Sequence, residues 1–513
     1  MNPFLYSFEG YRLVLRALVA LMSAQFVLGT VLFLRNSRRR PTPPAPARWP
    51  AVTVQLPLRN EFYAAERVIE AAGALDYPPE LFEIQVLDDS DDRTSEVVSA
   101  SLERLRRRGI EASHIRRHDP QGHKAGALAA GLREARGELV AIFDADFVPS
   151  RDFLKKTVPY FADPAVGLVQ GRWEHTNRNA SWFTRLQASI LDGLMVVEQT
   201  AKSDAGLPFQ FNGSGGVWKK SAIERAGGWK FDSLTEDLDL SIRAQLAGIK
   251  LVHLPDVAVP SELPTTLGLF RVQQRRWALG TAQLLRKRFG SVLRSPLPLS
   301  ARLSILFQLG RHLGYPLLVA MVLTLPLTTF AYVRTPLEYG VINALVLGAA
   351  VLSVAFQQAV AARAIGRSVA SAVVFAPFSI ALAIGLAPTY TVALVYGFFD
   401  RAGPFHRTPK VPRTPREGEP TYRARRSILV AVELVIGALY AWFSYVAVSR
   451  NIFTEGGFFA FVSFAYLWVG VGSLHVNAAP PSPVVVPERV PLGAPLAVLD
   501  PELPAATGSV PDG

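Results

Sequence analysis

The chain has 513 residues, a mean hydropathy of +0.21 and 19 % charged residues, a mixture that suggests a soluble part joined to a membrane part. It contains no cysteine, which excludes disulfides, thiolate catalysis, Cys-ligated zinc and iron–sulfur clusters. The formal net charge is +12, but Lys and Arg cluster beside apolar runs rather than in an aromatic-interleaved stripe, so the lipid bilayer is the expected partner and nucleic acid is not.

Residues 17–34, ALVALMSAQFVLGTVLFL, carry no charge and are long enough for a first transmembrane helix. A secretory signal peptide would also follow basic residues such as Arg12 and Arg16. Here the strongest charge comes after the run, at Arg35 and Arg38 to Arg40, which puts residue 35 onward in the cytoplasm. Residues 1–40 thus form a helix with a basic flank, and 41–50 (PTPPAPARWP) a proline-rich linker. From 51 to 262, short β-rich runs (VTVQL, EIQVL, ELVAIF, VGLVQGRW, KLVHL) alternate with polar, helix-like segments such as Glu96 to Arg107. This is the rhythm of an α/β domain with a mostly parallel sheet, whose ligands sit at the carboxyl ends of the strands.

Residues 263–300 contain a basic amphipathic stretch, Thr266 to Phe289, expected to lie on a membrane surface through Leu267, Phe270, Arg271 and Arg275. Region 301–476 holds four apolar runs long enough to span, at 313–333, 339–362, 428–449 and 457–474. A fifth run, 369–399, is broken by Pro377 and Pro388. The loop 401–426 carries eight Arg or Lys and should be cytoplasmic, so 369–399 is expected to be an interfacial or re-entrant element or a tight hairpin, leaving five full spans. Glu433 falls inside a span, either as a functional intramembrane carboxylate or as an interfacial residue near the cytoplasmic end. The tail, 477–513, is rich in Pro, Ala and Val without period and is expected to be disordered.

Several constellations carry chemistry. Asp144-Ala145-Asp146 closes the run ELVAIF, and two carboxylates at a strand end suit a hard divalent ion that leaves room for substrate phosphates. Asp88 and Asp89 end EIQVL, where they could meet a nucleotide at the same sheet edge or simply form a turn with Ser90. Thr235-Glu236-Asp237 opens a helix with apolar positions Leu238, Ile242, Leu246 and Ile249; Ser233 with Glu236 makes a plausible capping box, and Asp239 with Arg243 an exposed i,i+4 pair. A carboxylate at that helix start would be kept ionised, as a general base requires. Lys124, in HKAGAL, offers an ammonium beside a small-residue turn for a phosphate. Asn212, Gly213 and Ser214, in FNGSGG, allow close backbone approach by a ligand.

In chain order, DDS (88–90), HKAGAL (123–128), DAD (144–146), FNGSGG (211–216), LTEDLDLSIRAQLAG (234–248), ELPTTLGLFRVQQRRW (262–277) and FHRTPK (405–410) closely resemble the motifs of the inverting, membrane-bound family 2 glycosyltransferases. The nearest pattern is that of cellulose synthase and the cellulose-synthase-like mannan and glucomannan synthases, over roughly residues 51–475. The resemblance implies a glycosyltransferase A-type α/β nucleotide-sugar transferase domain inserted between transmembrane α-helices. It also implies processive synthesis of a β-linked polysaccharide, with translocation of the polymer. Asp88, Asp89, Lys124, Asp144, Asp146 and Arg276 would bind the donor, UDP-glucose or GDP-mannose, with Mg²⁺ or Mn²⁺ on Asp144 and Asp146. Asp237 would be the catalytic base. Gln273, Trp277, Glu236, Asn212, Gly213 and Ser214 would meet the growing glycan acceptor, and Phe405, Arg407, Thr408, Pro409 and Lys410 would belong to a gating loop. Within QQRRW, Arg276 is then assigned to chemistry and Arg275 to lipid.

The resemblance further implies an integral protein of a bacterial cytoplasmic membrane with its catalytic domain facing the cytoplasm, and an accessory export subunit as a further partner. Single transfer to a lipid, as in ceramide glucosyltransferases, is the alternative. Two points bear on detail: PLRNE puts Arg59 where the family often has an aromatic residue, and FHRTPK is closer to the mannan-synthase version of its motif.

Overall fold

The computed structural model describes residues 3–37, 43–331, 336–399 and 427–474. The expected gating-loop residues Phe405, Arg407, Thr408, Pro409 and Lys410, and the tail from 477, lie outside the described residues. The chain opens with helix α1 (Pro3–Asn36), which contains the expected first span.

An α/β domain follows: β1 (Val52–Leu58), α2 (Ala65–Gly73), β2 (Phe82–Asp88), α3 (Thr94–Arg107), β3 (Glu111–Arg116), α4 (His123–Glu134), β4 (Leu139–Ile142), α5 (Phe153–Thr157) and β5 (Val166–His175). Next come α6 (Trp182–Asp192), α7 (Gln199–Asp204), β6 (Gly216–Lys219), α8 (Lys220–Arg225), α9 (Glu236–Leu246) and β7 (Lys250–Ser261). The seven strands form one sheet in the order β3-β2-β1-β4-β6-β5-β7. Val54 and Leu56 of β1 turn to a core completed by Val68 and Ile69 of α2, Val98 and Leu102 of α3 and Phe153 of α5. On the other face Val140 and Ile142 of β4 pack with Leu128 of α4, Ile223 of α8 and Leu240 of α9. Coverage on both faces explains why these strands read as nearly continuous apolar runs.

All pairs are parallel except those of β6, which runs against both β4 and β5. Residues just before β6 therefore arrive at the edge where β4 ends. Sequence reading missed β3 and β6. β3, EASHIR, is an edge strand with only Ala112 buried, and β6, GVWK, has four residues, too few for a period.

The helices that follow the sheet are α10 (Leu267–Leu293), α11 (Leu299–Gly310), α12 (Gly314–Ala331), α13 (Pro336–Ala364), α14 (Val369–Gly385), α15 (Ala387–Phe398), α16 (Leu429–Ser449) and α17 (Phe453–Gly472). Four helices among the described residues are individually long and apolar enough to cross a membrane: Arg16–Asn36, Val341–Ala364, Leu429–Ser449 and Phe453–Gly472. The expected span at 313–333 qualifies only jointly with α11, across a 50° bend, and α14 with α15 forms a second such pair bent by 49°. A bend of that size rules out the tight hairpin expected as one option for 369–399, since a hairpin reverses direction.

Helix α10 is more enclosed by protein than its amphipathic pattern suggests. Its Leu269, Phe270, Leu279, Ala282 and Leu284 are buried, and it packs closely along α15, where a side chain on Gly397 would put its Cβ 2.5 Å from the Leu279 carbonyl oxygen. Arg271, expected at a lipid surface, is only 4 % exposed and pairs with Glu433 of α16. Glu433 itself is fully buried between the helices. An amphipathic pattern in sequence cannot tell a helix facing lipid from one whose charged face meets a buried counter-charge.

Candidate active site

The carboxyl edge of the sheet opens into a cavity of about 670 Å³ whose walls come from β1, the turn after β4, β5, the turn before β6, the starts of α4 and α9, and α10. It brings together Asp89, Lys124, Asp144, Asp146, Asn212, Gly213, Glu236, Asp237, Gln273, Arg276 and Trp277. Asp88 and Ser214 are not among its lining residues, and neither is Arg275.

Lys124, in the first turn of α4, is the hub. Its ammonium donates to Asp144 Oδ1 at 2.6 Å and to the Gly213 carbonyl at 2.8 Å, with Glu236 at 4.0 Å. Burial would lower its pKa, but the charges of Asp144 and Glu236 outweigh this and hold it above the usual lysine value. The β4 end is fixed from behind, where the Asp144 N–H donates to Ser214 Oγ at 2.9 Å. Ser214 is fully buried, so its part is to hold the turn and not to touch a ligand as expected.

Asp237 stands opposite. Gly213 has φ of +85°, and a Cβ there would lie 2.8 Å from Asp237 Oδ2, so only glycine admits this carboxylate so close to the turn. The Leu238 N–H donates to Asp237 Oδ1 at 2.8 Å. Burial and the adjacent Glu236 carboxylate nevertheless raise its pKa to about 7, against the opposing pull of Lys124, that backbone N–H and Arg276. The expectation that a helix start would keep Asp237 fully ionised is corrected: one backbone donor is weaker than burial beside a second carboxylate.

Other expectations around α9 also change. The Ser233–Glu236 capping box does not form; Thr235 is the N-cap without a side-chain cap bond, and the buried Ser233 hydroxyl makes no hydrogen bond. The Asp239–Arg243 pair is buried rather than exposed, at 2.7 Å, because Asp239 also accepts from Arg288 of α10 at 2.7 Å. The helix carrying Asp237 is thereby tied to the helix carrying Arg276.

Asp88 is turned inward, correcting its expected contact with the nucleotide. Its carboxylate accepts from the Ser90 N–H, Ser95 Oγ and His114 Nε2 at 2.9, 2.6 and 2.9 Å. Burial would raise its pKa, but the bonds from His114, Ser90 and Ser95 bring it down to about 2. It shapes the turn that presents Asp89. Asp89 in turn pairs with Arg117, whose guanidinium also donates to the carbonyls of Gln121 and His123 at 2.8 and 3.1 Å and so braces the start of α4. Arg117 was missed, since nothing in the run IRRHDP distinguishes it. Phe231, 60 % exposed on the cavity rim, and Trp173, whose Nε1 donates to the Ser214 carbonyl at 3.0 Å, were also missed.

The donor set fits a hard divalent cation in part. Asp144 and Asp146 lie one residue apart on the cavity wall, and no group of three or more His, Cys, Asp or Glu among the described residues could hold a metal alone. Two carboxylate ligands leave most positions of an octahedral ion for water and substrate phosphate oxygens.

Residues 53–223 match the family model described as glycosyl transferase family 2, and 139–333 that of glycosyl transferase family group 2. Among curated proteins, the chain is 42 % identical over 254 residues to glucomannan 4-beta-mannosyltransferase 7 of Arabidopsis thaliana, covering 48 % of this chain and 46 % of that one. It is also 42 % identical over 252 residues to glucomannan 4-beta-mannosyltransferase 1 of Oryza sativa subsp. japonica, covering 48 % of each. The chain thus spans about half the length of the curated relatives it matches. Among solved structures, a mannosyltransferase from Pyrobaculum calidifontis in complex with GDP-Man and Mn²⁺ aligns with 24 % identity and a TM-score of 0.47, covering 76 % of this chain and 100 % of that one.

Proposed function

Because residues 53–223 match glycosyl transferase family 2 and residues 139–333 match glycosyl transferase family group 2, we propose that the chain transfers hexose from a nucleotide sugar to a growing β-linked glycan and passes the product through its own membrane helices. The observation that carries this reading is the meeting, in one cavity, of the Asp237 carboxyl, the ammonium of Lys124 between Asp144 and Glu236, and a wall of Gln273, Arg276 and Trp277. The names of the curated relatives favour GDP-mannose as donor and a 4-β-mannan or glucomannan as product. They lend nothing to single transfer onto a lipid.

The acceptor hydroxyl lies against Asp237, which takes its proton as the oxygen attacks the anomeric carbon. The carbon–oxygen bond to the diphosphate breaks on the opposite face, so the configuration inverts and the nucleoside diphosphate departs. A base with a pKa near 7 is matched to this transfer at neutral pH. Lys124 and Arg276 stabilise charge developing on the departing diphosphate. Trp277 offers a flat apolar surface to a sugar ring, and Gln273 hydrogen-bonds its hydroxyls. A Mg²⁺ or Mn²⁺ ion held by Asp144 and Asp146 would supply Lewis-acid neutralisation of the diphosphate when bound. We assign the catalytic domain to the cytoplasmic side, where nucleotide sugars are made.

The test supplies membranes holding the protein with radiolabelled GDP-mannose, UDP-glucose and UDP-N-acetylglucosamine in turn. Products are sized and digested with linkage-specific hydrolases. A long, β-mannanase-sensitive polymer from GDP-mannose is the expected result, whereas a lipid-soluble monoglycoside would overturn processive synthesis.

A further inference from the structure

Helix α10 has two faces. At about 100° per residue, Gln273, Arg276 and Trp277 point one way and Arg271, Gln274 and Ala278 the other. The first face lines the cavity. The second is bolted to the membrane helices. Arg271 Nη1 donates to Glu433 Oε1 of α16 at 2.6 Å and to Thr389 Oγ1 of α15 at 2.8 Å, and Nη2 donates to Glu433 Oε2 and to Ser473 Oγ, just past α17, at 2.8 Å. Gln274 Oε1 accepts from the Tyr390 hydroxyl of α15 at 3.1 Å.

We infer that the buried Arg271–Glu433 pair is a positioning device: it sets the height and rotation of α10 against α15 and α16, and so places Arg276 and Trp277 for transfer. Apolar contacts alone let a helix slide, because neighbouring registers bury similar area. A bidentate guanidinium–carboxylate pair is directional and tolerates little displacement. Both partners are buried, at 4 % and 0 % exposure, so a slide would strand a charge away from water. Arg271 lies less than two turns from Trp277, so a rotation of α10 at the pair is delivered undiminished to the cavity face. Both residues act through Arg276 and Trp277 and touch no substrate themselves.

This inference rests on the proposed glycosyl transfer for its kinetic reading, and a second readout is independent of it. The chain has no cysteine, so Ser99→Cys on α3 and Ser291→Cys on α10, both exposed, can carry a pair of spin labels in the full-length protein in nanodiscs. Arg271→Gln and Glu433→Gln are each expected to lower kcat about 100-fold, the order that a misplacement of about 1 Å costs. KM for the donor should change far less than kcat, since Arg276 acts on charge that develops as the diphosphate departs, and the label-to-label distance should broaden or shift. The exchanged pair R271E/E433R is expected to regain most of the kcat and the narrow distance. Should the exchanged pair not fold, R271M/E433L keeps the volume without the directional bonds; it is expected to fold yet remain slow, with a broad distance. Single variants that lose thermal stability but keep kcat per folded molecule and the native distance would reduce the pair to a structural tie. So would wild-type turnover in R271M/E433L. If the unaltered protein transfers no sugar from any of the three donors, the functional reading fails, while the distances still decide the positioning role.

Discussion

Asp237 is a weak acid held where its two protonation states are nearly balanced at neutral pH. Burial and Glu236 push its pKa to about 7, so a rate that depends on the free carboxylate should climb as pH rises through 7 and level off above it. Measured kcat/KM should rise between about pH 5.5 and 8.5 as Asp237, titrating together with its neighbouring carboxylate, loses its proton. Asp237→Asn should abolish transfer by at least about 1000-fold while nucleotide binding, read by calorimetry, survives. The same variant should be the more thermally stable at pH 8. A carboxyl whose folded pKa is raised favours the fold at low pH and loses that contribution as pH rises through its folded value, and asparagine cannot ionise. Arg276→Ala should reduce kcat far more than Arg275→Ala, because only the former lines the cavity; equal losses would return both to the membrane surface. Asp144 and Lys124 could be read from sequence because a strand end and a helix start announce themselves locally. Asp88 could not, since its inward turn depends on a hydrogen bond from His114, 26 residues away.

Element by element, the strands with strong apolar runs were legible, while β3 and β6 were too polar or too short. β6 has an outsized effect: by running against its neighbours it delivers Asn212 and Gly213 to the edge where Asp144 stands. Helix α10 was legible as a helix and misread in its surroundings. Its six-residue stretch Arg271 to Arg276 has charges on both faces, and only the fold shows that one face meets Glu433 and the other the cavity. The close α10–α15 contact is testable at Gly397. Gly397→Val would drive a side chain into the Leu279 carbonyl, for an expected destabilisation of about 1–3 kcal/mol by overpacking, together with a fall in kcat. Unchanged melting and activity would mean that the two helices part easily.

For the whole molecule, composition alone divided the chain into a soluble and a membrane part, and hydropathy located four of the helices that could span. The two bent pairs were harder to read, because a proline or glycine break leaves average hydropathy intact while redirecting the axis. The cavity is lined by α10, which packs along α15, and this adjacency suits a product handed from cavity to membrane helices. If so, size distributions of the polymer should shift with donor concentration, and a processive enzyme should show long chains while most acceptors are still unextended.

The Arg271–Glu433 pair also has a consequence for how the protein is made. Its partners are 162 residues apart, so Glu433 emerges from the ribosome long after Arg271 has been synthesised. An ionised acidic side chain inside an apolar helix is costly to insert into a bilayer without a partner. With the arginine already in place on a folded α10, that carboxylate has a waiting counter-charge. Helix α10 thus carries the counter-charge for α16, and α16 expressed apart from residues 51–300 should enter the bilayer less efficiently than the same helix carrying Glu433→Gln.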